Sequence, residues 1–183
     1  MIYGDTIIKT MIESGRIKNI YEGALNPASI NIRLGNTFLV PVRDQIIRLG
    51  EEIEYETFRI NEKEIMWIEP GDFVLATTKE WFDIPITASA FVQGRSSIGR
   101  AGLTIQNAGF VDPGFRGHIT LELKNETDMK IGLVPGYPVG QLIFMETHDA
   151  SHGYQGKYLD QVDATGSKMQ DDIYKPDKQV EVE

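Results

Sequence analysis

The sequence predicts a mainly β fold, a sandwich, jelly roll or barrel, preceded by one short N-terminal helix. Three observations carry that reading: apolar and polar residues alternate in many short runs, Pro-Gly pairs punctuate those runs, and only one segment has a helical apolar period. That segment is residues 5–14, where Ile7, Ile8, Met11 and Ile12 fall on one face, Asp5 or Thr6 caps the start and Gly15 ends it. Beyond it the period is two. Ile30, Ile32 and Leu34 alternate with polar residues, and the same texture recurs in parts of 38–42, 65–68, 73–77 and 139–144. Ile119, Leu121 and Leu123 alternate with Thr120, Glu122 and Lys124. Pro70-Gly71, Pro113-Gly114 and Pro135-Gly136 supply turns, proline presetting the first turn position and glycine the positive φ of the second. There is no fixed-period repeat, so residues 1–183 read as a single domain. From about residue 150 the apolar patterning fades into Gly, Asp, Gln, Lys and Ser, which predicts a flexible C-terminal tail, disordered or ordered only by a ligand or a neighbouring subunit.

Composition narrows the chemistry. With 183 residues and 41% hydrophobic content the chain builds a core without staples. It has no cysteine, which excludes a disulfide scaffold, a thiolate zinc site and a cysteine nucleophile, and fits a reducing, cytoplasmic setting. No apolar run reaches the length of a membrane span, and charged residues interrupt the first seventeen positions, so neither a membrane partner nor a signal peptide is expected. The net charge of −9 argues against nucleic acid as a partner. An anion bound by so acidic a chain needs its cations concentrated at one place.

One such concentration is Gly94-Arg95-Ser96-Ser97-Ile98-Gly99-Arg100. Arginine forks and hydroxyls suit phosphate oxygens, and glycine lets the backbone approach. On pattern alone a solvated polar turn explains it equally well; the acidity of the rest favours an anion site. Residues 108–117, Ala-Gly-Phe-Val-Asp-Pro-Gly-Phe-Arg-Gly, read as a hairpin around Asp112-Pro113-Gly114. Glu122 takes the strand face opposite Leu121 and Leu123. Most strand glutamates face solvent, and from the residues alone that is the favoured reading. His118, His148 and His152 are scattered and read as surface residues. Trp67, Trp81, Phe82 and Phe91 read as core or interface residues.

The Arg-Ser-Ser-Ile-Gly-Arg string, the 108–117 segment, the Ile119-Thr120-Leu121-Glu122 strand and Pro135-Gly136 followed by Gly140-Gln141-Leu142 together resemble the dCTP deaminase family of the dUTPase superfamily. The run Asn26-Pro27-Ala28-Ser29-Ile30-Asn31-Ile32-Arg33-Leu34-Gly35 resembles that family's first core strand. The resemblance implies a dUTPase-like distorted jelly roll or β-barrel, assembled as a homotrimer with active sites between subunits. It implies that Glu122 activates a water for attack at C4 of cytosine, with Ser96 and Arg100 assisting at the base. It assigns Arg95 and Ser97 to phosphate and structural contacts, and Ala108, Gly109, Phe110 and Asp112 to the deoxyribose and base pocket. Gln141, Tyr154, Lys157, Tyr158 and Gln161 become triphosphate-side contacts. Magnesium travels with the triphosphate and no protein group holds it directly; no zinc is expected. dTTP is implied as a possible feedback inhibitor.

Within that family, members that only deaminate have His after the alanine at the position of Ala108. The Gly109-Phe110 pair here resembles members that carry dCTP on to dUMP and pyrophosphate, and Asp112 matches the aspartate that dUTPases place near their nucleophilic water. A bifunctional enzyme is therefore expected, with a deaminase-only enzyme as the alternative. Residues 104–107 run one position shorter than the family pattern. A plain trimeric dUTPase has no use for Glu122 and ends in a Gly-rich tail with Arg and Ser, unlike 153–158 here. A non-catalytic β module leaves the Arg-Ser-Ser-Ile-Gly-Arg cluster unexplained.

Overall fold

The computed structural model describes residues 1–105 and 109–172, and it is mainly β. The chain opens with α1 (Asp5–Glu13), followed by the short strands β1 (Ile17–Lys18) and β2 (Leu25–Asn26) and the long β3 (Ser29–Pro41). Next come β4 (Tyr55–Arg59), β5 (Met66–Ile68), β6 (Phe73–Thr78), β7 (Trp81–Asp83) and β8 (Ala88–Gly94). The one-turn helix α2 (Ser96–Gly99) leads to β9 (Leu103–Ile105), β10 (Phe110–Val111), β11 (Arg116–Gly117) and β12 (Thr120–Asn125). β13 (Ile131–Leu133) and β14 (Pro138–Glu146) complete the strands, and a 3-10 turn covers Met169–Asp171.

The main sheet runs β10-β8-β14-β3-β6-β12-β9, all antiparallel, with β2 and β4 also on β3. β3 is the pivot. Its first half pairs with β14, its second half with β6 and β4, and the register shifts between Leu34 and Phe38. One strand thus serves two walls, and the sheet curls around a common core. Ile30, Ile32, Leu34 and Phe38 from β3 meet Val74, Ala90, Val92, Leu121, Leu123, Leu142 and Phe144 there. The period-two alternation delivered those residues inward, as the sequence requires.

Several expectations need correction. The helix is capped by Gly4 instead of Asp5 or Thr6, and the Asp5 carboxylate accepts the Thr6 N–H. It buries Ile8 and Met11 while Ile7 stays exposed. Segments 29–34 and 38–42 fuse into the single strand β3. The 108–117 segment is no hairpin: β10 pairs with β8 and β11 with β7. Strands of two residues each find partners in different sheets, so Asp112-Pro113-Gly114 turns the chain from one sheet to the other, closed by the Phe115 N–H on Asp112 O. The Arg-Ser-Ser-Ile-Gly-Arg segment is a helical turn, with Arg95 at its start. Of the four aromatics, Phe82 is core, Phe91 packs edge-on against Phe110, and Trp81 carries the Lys18 ammonium on its ring. Trp67 is 58% exposed.

Candidate active site

The alternation of β12 sets the chemistry. Leu121 and Leu123 point into the core, which turns Thr120 and Glu122 to the other face. That face borders a cavity of about 510 Å³. Its far walls come from β4 and the loop before it (Ile53, Tyr55), from the 109–115 turn and from the C-terminal segment (Tyr154, Tyr158, Gln161 and 165–167). The walls are largely apolar, and among the described lining residues only Asp112 and Glu122 bear a formal charge.

Glu122 has no hydrogen bond or ion pair among the described residues, and burial pushes its carboxyl above the ordinary carboxylate value. A half-buried, unpaired carboxylate of raised pKa at a cavity wall is a poised proton acceptor. Asp112 is exposed at the rim. Gln161 is clamped by its Nε2 on the His118 carbonyl at 2.5 Å, which leaves its buried Oε1 without a partner among the described residues. That orphan acceptor fits a donor on a bound molecule or water.

Within the segment expected to be a tail, residues 153–168 lie on the barrel. Tyr154 stacks at a tilt on Phe115, centroids 5.8 Å apart, and its hydroxyl accepts the Tyr158 N–H. The turn glycines make this approach possible. A Cβ on Gly114 would lie 2.6 Å from Gly153 Cα, and one on Gly117 would lie 2.8 Å from the Gln161 carbonyl oxygen.

The structure therefore brings Gly109, Phe110, Asp112, Glu122, Tyr154, Tyr158 and Gln161 to one cavity. Arg95, Ser96, Ser97 and Arg100 do not line it. The serines open α2 and the two arginines flank it; both serines and Arg100 are exposed, and Arg95 donates to the Pro138 carbonyl. Neither arginine has an acidic partner among the described residues. Gln141 lies on β14, where its Oε1 accepts the Ser29 hydroxyl. Lys157 points to the Lys168 carbonyl and Asp172, which raises its pKa above the usual lysine value. Ala108 and the shortened stretch at 106–107 lie outside the described residues. His148 and His152 are exposed, and His118 Nδ1 meets the Thr78 carbonyl at 3.0 Å. Sequence reasoning missed Tyr55, Thr120 and 165–167. Thr120 was findable, since it shares the Glu122 face.

Fold and cavity define a curled β-barrel with a small-molecule-sized cavity that the Glu122 carboxylate faces. The chain belongs to the dCTP deaminase-like family, whose model matches residues 2–147. It is 41% identical over 182 residues to a "dCTP deaminase, dUMP-forming" of Sulfurihydrogenibium sp., covering 92% of this chain and 97% of that one. It is 39% identical over 173 residues to the protein of the same name from Aquifex aeolicus, covering 92% and 95%. In fold it is similar to the crystal structure of 2'-deoxycytidine 5'-triphosphate deaminase from Agrobacterium tumefaciens, with a TM-score of 0.66 at 20% identity, over 80% of this chain and 48% of that chain. A mutant dUTPase from phage phi11 of S. aureus, described with a coordinated structural Mg(II) ion, is similar at a TM-score of 0.51 and 13% identity, over 76% and 90%. These two likenesses bear on the fold alone.

Proposed function

We propose that the chain hydrolyses dCTP to dUMP in two steps at the Glu122 cavity, first releasing ammonia and then pyrophosphate. The observation that carries this reading is the unpaired, half-buried Glu122 facing a nucleoside-sized cavity in a chain of this family. In the first step Glu122 takes a proton from water, and the hydroxide adds to C4 of cytosine. The same proton then passes to the departing amino group while the proton of the new C4 hydroxyl ends on N3, so dCTP and water give dUTP and ammonia and Glu122 returns ionised. A chain without cysteine offers no thiolate ligand to a zinc ion, and in this reading the carboxylate and its surroundings activate the water. In the second step a water attacks the α-phosphorus, oriented by Asp112 at the rim, and dUTP and water give dUMP and pyrophosphate. Gly109 lines the cavity without a side chain, which suits admission of that water.

Among the described residues no group of three or more His, Asp or Glu side chains is placed to hold a metal. A magnesium ion would ride on the phosphates, where it draws off charge. No step above is routed through it.

Charge supports an assembly. A triphosphate is strongly anionic, while the cavity's own charged lining is acidic. The cations have to come from elsewhere, and Arg95 and Arg100, which flank exposed α2 with its Ser96 and Ser97 and have no acidic partner among the described residues, suit that purpose when supplied by a neighbouring copy. We therefore place the site between subunits of a homotrimer, with Gln141 and Lys157 on the triphosphate side. dTTP is the product of the precursor synthesis that dUMP would feed, and as a deoxypyrimidine triphosphate it would compete for the same cavity. A cytoplasmic setting fits the cysteine-free composition, and among the described residues no helix is long and apolar enough to cross a membrane.

Chromatography of a dCTP incubation with magnesium tests the reading, with and without dTTP. Ammonia, dUMP and pyrophosphate in equal amounts support it. dUTP as the final product restricts the enzyme to deamination, and cleavage of added dUTP without ammonia from dCTP makes it a dUTPase.

A further inference from the structure

The helical turn α2 is pinned at both ends. At its start the Arg95 N–H donates to Val139 O at 3.1 Å, and the guanidinium reaches Pro138 O. At its end the Arg100 N–H donates to Ser96 O and the Ala101 N–H to Ile98 O, each at 3.0 Å, and Gly102 stops the turn at a φ of 81°. Gly102 O then accepts the Glu126 N–H at 2.9 Å, so the exit from α2 leans on the loop that follows β12. That loop is built around Asn125, fully buried at the end of the strand that carries Glu122. Its Nδ2 donates to Glu69 O at 3.1 Å and to Met129 O at 2.7 Å, and its Oδ1 accepts the Thr127 N–H at 3.0 Å. The Thr127 hydroxyl lies 2.8 Å from the same Oδ1 and accepts the Met129 N–H at 3.1 Å.

With its N–H and its hydroxyl both held, Thr127 keeps one rotamer, and its methyl sits where a Cβ on Gly102 would be. Glycine at 102 thus answers two demands, a left-handed φ and a space that is already filled. Gly71, at a φ of 78°, answers only the first: among the described residues nothing lies within 4 Å of a Cβ built there. We propose that Gly102 and Thr127 are positioning residues for α2. The Asn125-anchored methyl is a stop against which the end of α2 is seated, and it fixes where Ser96 and Arg100 stand. The kinetic consequence rests on the reading given above in which α2 serves the nucleotide; the mechanical claim does not.

Amide exchange followed by mass spectrometry on the full chain, read beside dCTP kinetics, tests the seat of α2. Gly102→Ala should speed exchange of 96–104 by on the order of tenfold while β12 peptides stay within about twofold of wild type. Its kcat/KM for dCTP should fall by on the order of tenfold. Gly71→Ala meets the backbone strain without the collision and should leave both readings within about twofold of wild type. Thr127→Ser keeps the hydroxyl and removes the methyl. Alone it should change each reading by about twofold, and added to Gly102→Ala it should recover most of both losses. That change leaves the strain in φ untouched, so recovery separates a steric stop from a strained turn. If Gly102→Ala alone gives no soluble chain, the double variant should give one. Four results overturn the proposal: equal effects of Gly71→Ala and Gly102→Ala, acceleration of β12 together with 96–104, a double variant no better than Gly102→Ala, or an unchanged kcat/KM for Gly102→Ala in an active enzyme. If exchange follows the expected pattern while wild type leaves dCTP unchanged, the seat of α2 stands and the nucleotide reading falls.

Discussion

Glu122 is where sequence and chemistry meet at the level of a single side chain. The Leu121-Glu122-Leu123 alternation fixes which way the carboxylate points, and that much was legible. Whether that face meets water or a cavity was not legible, because the covering residues Tyr154, Tyr158 and 165–167 lie far downstream in a stretch without periodicity. Substituting Glu122→Gln keeps the shape and removes the proton acceptor, so deamination should fall by roughly two orders of magnitude or more. Stability should move the other way. Burial raises the folded-state pKa of Glu122 above the ordinary value of 4.5, so the folded chain holds this proton more tightly than the unfolded chain. Between the two values the native state carries more protons, and wild-type stability declines as pH rises through that window. The penalty is absent below the unfolded value and complete above the folded one. Glu122→Gln should therefore match wild type in thermal melting at about pH 4 and melt higher at neutral pH. A variant that melts lower at neutral pH contradicts the description of this carboxylate as unpaired.

At the scale of elements, β3 organises the barrel and one ion pair ties it down. Arg33 Nε donates to Glu80 Oε1 at 2.6 Å, and the Arg33 backbone N–H donates to the other oxygen at 2.8 Å. Glu80 is fully buried, and the Tyr21 ring covers the guanidinium. Arg33→Ala leaves that carboxylate buried without its cation, at a cost of about 3–5 kcal/mol, read as a lower urea midpoint at unchanged slope. A loss under about 1 kcal/mol would mean that water replaces the arginine. The strands with alternating large aliphatics were legible. β8 was not, because Ala88, Ser89 and Ala90 carry small side chains that fit between neighbours on both sides and give no hydrophobic period. The 108–117 turn was misread as a hairpin because turn residues mark a change of direction without saying which sheet each arm joins. The C-terminal segment yields a graded expectation. Ending the chain after Gln161 removes 165–167 from the cavity lining but keeps Tyr154 on Phe115, so turnover should drop with a melting shift of only about 2 °C or less. Ending it before Ser151 also bares Phe115 and the 112–117 turn, and should lower the melting temperature several-fold more. Equal melting of the two truncations would show that residues 151–161 add no stability.

At the scale of the whole molecule, the charged lining of the cavity is acidic, and Arg95 and Arg100 flank α2 outside that lining. The motif string that named Arg95, Ser96, Ser97 and Arg100 was plain in the sequence; the proposal that they act beside another copy's Glu122 rests on their absence from the cavity lining and on the sign of its charge. Complementation tests it. Glu122→Gln and Arg100→Ala chains, each inactive alone, should regain activity when refolded together, because random assortment leaves about a quarter of intersubunit sites with both residues intact. No recovery would put both residues in one chain's site or remove Arg100 from it. The central claim, that this chain takes dCTP to dUMP, is tested most directly by following the purified full-length enzyme on dCTP with magnesium and measuring ammonia, dUTP, dUMP and pyrophosphate over time. The account predicts ammonia, dUMP and pyrophosphate rising together in equal amounts with dUTP never accumulating; no ammonia from dCTP, or dUTP standing as the end product, would contradict it.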